Sequence, residues 1–466
     1  MNKTDQIKIL PSEYLDLEGK TGKEVINISP NQIKTDSRKI RENDLFLALS
    51  GENFDGHHFI ERAIEAGASI VVYKGSKWDP SRLKTRNGKK PVFFVPTTSP
   101  LKFYQTLANR WRKMLSSSTV IAITGSYGKT TVKEMLDHVL SEFGKVHKTF
   151  ANENNDIGVA KTLLETPKDA KFCILEMGAR HPGDIAPLVK FSAPEICILT
   201  GIKDAHIEIF GNYENLCRTK LEMFTSSQVG ALKIGSIDHV ETKQALARCP
   251  NTVTISQADT ASIKINPLQP NSKKYVYTVG QNKVEFDWTL HSDVFLYNSA
   301  FVLAVVFGLG LDLTKAGDLL SKYPGTSGRF YIHQQANRIL IDDSYNAGPQ
   351  SMLAGLTVLR QNFDGDPVLV LGEMLELGAE SRKAHQNLGN FLNIRFKNST
   401  VILIGHDMKY AYSEIENTTK VKLYEDIEGL QNDPIWNELK DADKNIYLKG
   451  SHNTKIYELV RILLKK

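Results

Sequence analysis

The segment GSYGKTT from Gly125 follows an apolar run, VIAIT from Val120, that reads as a strand, and precedes a helical pattern over residues 130–143. In that setting backbone N–H groups and a helix N-terminus cradle phosphate, the lysine pairs with terminal phosphate charge, and the threonine hydroxyl reaches a divalent cation. The spacing is GxxGK[ST]; the longer form of the motif places a first glycine at position 123, where this chain has isoleucine. Nucleotide binding is therefore a hypothesis awaiting its structural context. In CILEMGA from Cys173, Glu176 closes an apolar strand, where a carboxylate is costly unless it meets a cation or a basic partner. Further along, His206 follows Asp204 and Ala205, and Lys220 lies in a helical stretch over residues 215–224. Either one alone reads as an ordinary polar residue or a solvated helix face.

These residues need a scaffold that brings strand ends together. Apolar runs at residues 120–124, 173–177 and 196–200, separated by helical patterns, predict a parallel α/β sheet. Strand-like runs at 339–341, 368–371, 401–404 and 446–448 alternate with helical stretches such as 381–396 and 454–464, which implies βαβ units and a Rossmann-like doubly wound sheet. A serine run at 116–118 and a turn-rich stretch at 323–329 break the chain. With roughly 150 residues per domain, 466 residues suggest about three. The expected division is 1–114, 115–325 and 326–466, the first piece mixing short strands with one clear helix.

Apolar residues at 41% and charged residues at 24% match a folded globular chain. The net charge of +5 suits anionic small molecules, and no dense Lys/Arg block suggests a nucleic-acid-binding arm. The four cysteines lack CxxC spacing, which fits a reducing compartment. Residues 301–311, the longest apolar stretch, fall short of a membrane span, and the first residues lack a secretion-signal core. The expectation is a cytoplasmic protein without membrane insertion that meets small molecules, taken as a monomer.

The order GSYGKTT, then NENNDIGVAKTLL from Asn152, EMGARHPGDI from Glu176 and AHIEIFGNYENLCRTKLEMF from Ala205 resembles the central ATPase domain of the Mur ligases. TDSR from Thr35 and the segment from Asp44 look like the uridine-nucleotide domain of that family. IDDSYNAGPQSM from Ile341 and VLVLGEMLELGAESRKAH from Val368 resemble the MurF branch, and DNPR, the MurE signature, is absent from the sequence. The resemblance implies a three-domain α/β ligase. Such an enzyme uses ATP and two Mg²⁺ ions to join D-Ala-D-Ala to a UDP-N-acetylmuramoyl tripeptide through an acyl phosphate.

It further implies that Gly125, Ser126, Gly128, Lys129, Thr130 and Thr131 hold the nucleotide phosphates. Asn298 would meet the purine, Arg329 phosphate and Asp343 the ribose. Thr130, Glu176, His206 and a carbamylated Lys220 would hold the metal, with Lys129, His206 and Lys220 as the catalytic set. Ser37, Arg38, Asn154, Asn155, Tyr345 and Asn346 would bind substrate. The chain departs from the family pattern at Val294 and Phe295, where a His-Asn pair is common, and at Gly348 and His452. Other readings are a different Mur step, a folylpolyglutamate synthetase-like ligase, or a P-loop switch that makes no product.

Overall fold

Every residue of the strand Thr119–Thr124 except Ala122 is β-branched, a composition that suits a strand covered on both faces. It lies inside a nine-stranded sheet, parallel to Ile196–Leu199 on one side and Phe172–Glu176 on the other. The computed structural model describes residues 5–15, 20–51, 54–83, 92–203, 207–416, 420–441 and 443–465. Seven strands of the central sheet run parallel, from Ile263–Asn266 through to Val146–Lys148. Two antiparallel strands, Lys274–Val279 and Asn282–Asp287, extend the edge, so the expected parallel sheet is in fact mixed. Their signal is the alternation that buries Tyr275, Tyr277 and Val279 on one face, closed by a turn in which Gly280 adopts φ 58°.

The longest apolar run belongs to the helix Asp293–Gly308. It is hydrophobic nearly all round because it is buried nearly all round, packed on the sheet and on the helix Lys129–Leu140. Among the described residues no helix is long and apolar enough to cross a membrane.

Towards the N-terminus, a parallel four-stranded sheet runs Ile33–Lys34, Leu45–Leu47, Ile70–Lys74, Phe93–Thr97. The helix Pro100–Met114 joins this part to the central sheet. It packs on the helices Asp156–Glu165 and Ile185–Ser192, and Trp111 Nε1 donates to Thr166 O at 3.0 Å. One apolar core therefore runs without interruption from Ile7 and Leu45 to Val159 and Leu188. The third domain is a six-stranded sheet, parallel apart from its edge strand Tyr331–Gln334, with a separate core on each face. Its two covered faces make it doubly wound, as the alternation implied. Helix Pro349–Asn362 reaches back to the central domain. Asn362 Oδ1 accepts from His291 N at 2.6 Å and its Nδ2 donates to His291 O at 2.8 Å.

Candidate active site

The helix Lys129–Leu140 carries Val132, Met135, Leu136, Val139 and Leu140 at helical spacing on its buried face, so its N-terminus is fixed at the carboxyl end of Thr119–Thr124. Gly125 and Gly128 adopt φ 150° and 76°. A side chain at Gly125 would meet Thr200 Oγ1 at 2.1 Å, and one at Gly128 would meet Asn298 Oδ1 at 2.9 Å. Glycine is required at both places. Ser126 ties the loop to the neighbouring strand's exit, its N–H donating to Gly201 O at 2.9 Å and its hydroxyl to Lys203 O at 3.0 Å. Thr131 follows Thr130 in the first turn of the helix. The loop thus presents the free N–H groups of a helix start, as phosphate binding needs.

Lys129 Nζ donates to Gly125 O at 2.7 Å, so the ammonium lies along the loop. Burial pushes its pKa down, with Glu176 opposing that shift and Arg329 adding to it. Thr130 Oγ1 donates to Glu176 Oε1 at 3.1 Å, and Asn154 Nδ2 donates to the same oxygen at 2.9 Å. Glu176 Oε2 is buried and makes no hydrogen bond. Lys220 is buried on the helix Tyr213–Thr225, and its amine is lowered to about 7 by burial, with Lys129 lowering it further and Asp184 opposing. Lys129 thus shares its electrostatic surroundings with Glu176, Arg329 and Lys220. His206 lies outside the described residues.

Arg329 stands over the ring of Tyr345, with its guanidinium carbon 4.2 Å from the ring centroid and its Nε buried without a hydrogen-bond partner. Asn298 also has a buried, unpartnered Nδ2 beside the glycine loop. These two unsatisfied donors mark places where a ligand acceptor would be welcome.

Asp343 is engaged within the protein. Its Oδ1 accepts from Phe330 N at 3.1 Å, and its Oδ2 from Tyr447 Oη at 2.7 Å and Lys449 Nζ at 2.9 Å. Lys449 also donates to Asn346 O at 3.1 Å, and burial lowers its pKa against the pull of Asp343. Asn155 caps the helix Asp156–Glu165, accepting from Gly158 N at 2.9 Å. Asn346 Oδ1 accepts from the N–H of Ala347 at 2.9 Å.

In the first domain Ser37 is buried, whereas the Arg38 side chain is 76% exposed and forks onto Asp36 with two 2.9 Å contacts, which hold the Asp36 carboxyl at about 2. Lys34, Arg38, Lys39 and Arg41 line a cavity of about 560 Å³ together with the carboxylates Glu42 and Asp44.

The departures have plain structural positions. Phe295 is a core residue stacked on Trp288 with centroids 3.6 Å apart, and Val294 is exposed. Gly348 has an extended φ of −136°, which other residues adopt equally. His452 stacks on Tyr457 and lies 6.2 Å from the Tyr345 ring. Sequence reasoning overlooked Lys133, Thr149, Thr200 and Lys449. For Lys133 the signal was a lysine one turn beyond Lys129 on the apolar side of its helix.

Comparison with known proteins points to one family. Family models match three successive stretches: residues 30–112 the Mur ligase family catalytic domain, 123–306 the Mur ligase middle domain, and 328–452 the Mur ligase glutamate ligase domain. A UDP-N-acetylmuramoyl-tripeptide–D-alanyl-D-alanine ligase of Synechocystis sp. is 34% identical over 369 residues, 78% of this chain and 77% of that protein. MurF from Acinetobacter baumannii superposes with a TM-score of 0.83 at 25% identity, covering 99% of this chain and 100% of that one. MurF ligase from Thermotoga maritima, solved in complex with ADP, gives 0.77 at 27% identity over 93% and 97%. Because three family domains follow one another along the chain, and a relative at 34% identity and a solved structure covering 99% of the chain carry the same assignment, this protein belongs to the Mur ligase family, on its MurF branch.

Proposed function

We propose that the protein joins D-Ala-D-Ala to UDP-N-acetylmuramoyl tripeptide at the expense of ATP, giving the pentapeptide precursor, ADP and phosphate. The observation that carries this reading is the glycine loop with the Lys129 ammonium along it and Thr130 hydrogen-bonded to the buried Glu176, in a chain 34% identical to a ligase of that name. An amine and a carboxylate do not condense at neutral pH, so the carboxylate must first be activated. The tripeptide carboxylate attacks the γ-phosphorus of ATP and ADP leaves. The dipeptide amine then adds to the acyl carbon, the tetrahedral adduct collapses with loss of phosphate, and a proton is released from nitrogen.

The chain's own groups contribute position and charge. N–H groups of the 125–131 loop hold the phosphates, and Lys129 swings from the Gly125 carbonyl to a phosphate oxygen. Arg329, with Nε unpaired, offers a second cation from the third domain. The unpartnered Asn298 Nδ2 supports a contact to the purine. Asp343 fixes the linker through Phe330 N, with the ribose contact as its further role.

Thr130 and Glu176 fit a hard cation, since Glu176 Oε2 is a buried carboxylate oxygen without a hydrogen bond and Thr130 Oγ1 stands beside the other. With His206 and a carbamylated Lys220 they would hold two Mg²⁺ ions, which when bound offset charge on the transferring phosphoryl group. The buried setting of Lys220 supports carbamylation, because carbon dioxide adds to the neutral amine and the product is an anionic oxygen ligand.

The four basic residues lining the cavity at Arg38 support recognition of the UDP diphosphate, with Ser37 beside it, and we assign Asn154, Asn155, Tyr345 and Asn346 to substrate binding. Domain limits of 1–114, 115–325 and 326–466 assign one surface to each substrate. One chain then suffices, and we take the enzyme to be a cytoplasmic monomer, a setting in keeping with its four free cysteines. The test is mass spectrometry of the product made from UDP-muramoyl tripeptide, D-Ala-D-Ala, ATP and Mg²⁺. A UDP-muramoyl pentapeptide is expected; a tripeptide returned unchanged while ATP is consumed would refute the assignment.

A further inference from the structure

Lys133 is the least explained group near the loop. Its side chain has 0% exposure, yet it is a lysine on the face of the helix that otherwise carries Val132, Met135, Leu136 and Val139. Burying an ammonium is costly unless every donor finds an oxygen. Its Nζ donates to Thr149 O at 3.0 Å and Ala151 O at 3.1 Å, and stands 3.4 Å from both Glu134 Oε1 and Glu176 Oε2.

The stretch that carries both carbonyl partners leads back to Glu176. Thr149 Oγ1 accepts from Glu176 N at 3.0 Å, which locks the strand end to the stretch that Lys133 grips. Ala151 adopts φ 46°, a conformation that a non-glycine residue holds only when its surroundings impose it, and its carbonyl is one of the two that Lys133 binds. Three residues on, Asn154 donates to Glu176 Oε1. The ammonium thus sits inside a closed ring: helix, residues 149–154, and the glutamate. It stands at ion-pair distance from Oε2 without hydrogen-bonding it, so that oxygen keeps its lone pairs free for a cation.

We propose that Lys133 is the positioning residue of the magnesium site: it aims the Glu176 carboxylate and, through the 149–154 turn, the Asn154 amide, without touching nucleotide or substrate itself. The inference rests on the ligase reading. Removing such an outer partner of a metal ligand is expected to weaken metal binding on the order of tenfold or more.

The experiment uses the full-length enzyme, with binding of a non-hydrolysable ATP analogue followed by calorimetry across a magnesium titration, alongside steady-state phosphate release. For Lys133→Met, the magnesium concentration needed for half-maximal analogue binding should rise about tenfold and kcat should fall, with KM for D-Ala-D-Ala unchanged. In a Glu176→Gln background the same substitution should add almost nothing. Lys133→Gln, which can still donate to the two carbonyls, serves if the methionine variant fails to fold. It should retain the melting temperature while still shifting the magnesium requirement. A variant that melts earlier but keeps its magnesium requirement overturns the proposal, as does an equal shift in the Glu176→Gln background. Wild-type analogue binding that ignores magnesium overturns the ligase reading and this inference with it.

Discussion

Lys220 shows how burial turns an unremarkable residue into a chemical one. In an exposed helix its amine would stay protonated to high pH; here burial lowers it to about 7, with Lys129 adding to the effect. Above about 7 the amine is neutral and able to add carbon dioxide, and below it the amine carries a proton that blocks the addition. Enzyme stripped of carbon dioxide should therefore regain activity on adding bicarbonate at pH 8 and regain far less at pH 6. The sign for stability is the same: an unmodified Lys220 binds a proton less readily folded than unfolded, so its contribution improves as pH rises from about 7 towards the ordinary lysine range. Lys220→Ala should lower kcat by at least about a hundredfold, and short carboxylic acids should restore part of it by standing in for the carbamate. Equal recovery at both pH values would remove the carbamate from the account. Lys129, Thr130 and Glu176 were legible in the sequence because a glycine loop and a strand-terminal carboxylate have few other uses. Lys133 was not, since a lysine in a helix ordinarily points to water.

At the scale of elements, alternating patterns located the parallel strands well: the run at 368–371 is the strand Val368–Gly372, and that at 401–404 is Thr400–Ile404. The edge hairpin escaped because its strands, Lys274–Val279 and Asn282–Asp287, alternate apolar with polar or charged residues and so lack a continuous apolar run. Its buried face nonetheless has a purpose, since Tyr275 and Phe286 pack against Phe295 and so anchor the helix that carries Asn298. The departure at Phe295 is thereby explained as core packing. Phe295→Ala should destabilise the protein by about 3–5 kcal/mol, measured by chemical denaturation. Because Asn298 lies one turn further along the same helix, the affinity for ATP should weaken as well, while KM for D-Ala-D-Ala stays unchanged. A stable variant with unaltered ATP affinity would show that the stack does not set the position of Asn298.

For the molecule as a whole, the first two domains share a continuous apolar core, whereas the third is joined to the central one, among the described residues, by the two-way hydrogen bonding of Asn362 with His291. The linker between them contains Gly325 and Gly328, at φ 94° and 73°, so the third domain is expected to close as a rigid body about this stretch when ligands bind. Asn362→Ala leaves a buried N–H unpaired and should loosen the docking, giving a larger radius of gyration by solution scattering and a higher KM for ATP, with the melting of the central domain little changed. Scattering profiles of wild-type enzyme that coincide with and without ligands would argue against closure. Three domains that must converge also explain why acceptor choice was the least legible property: it depends on pocket shape between elements far apart in sequence, such as Tyr345 and His452. The most direct measurement is phosphate release from ATP and Mg²⁺ by the purified protein, with UDP-muramoyl tripeptide supplied in the presence or absence of D-Ala-D-Ala. Ligation predicts sustained release only when both substrates are present; release that proceeds at the same rate without the dipeptide would contradict it.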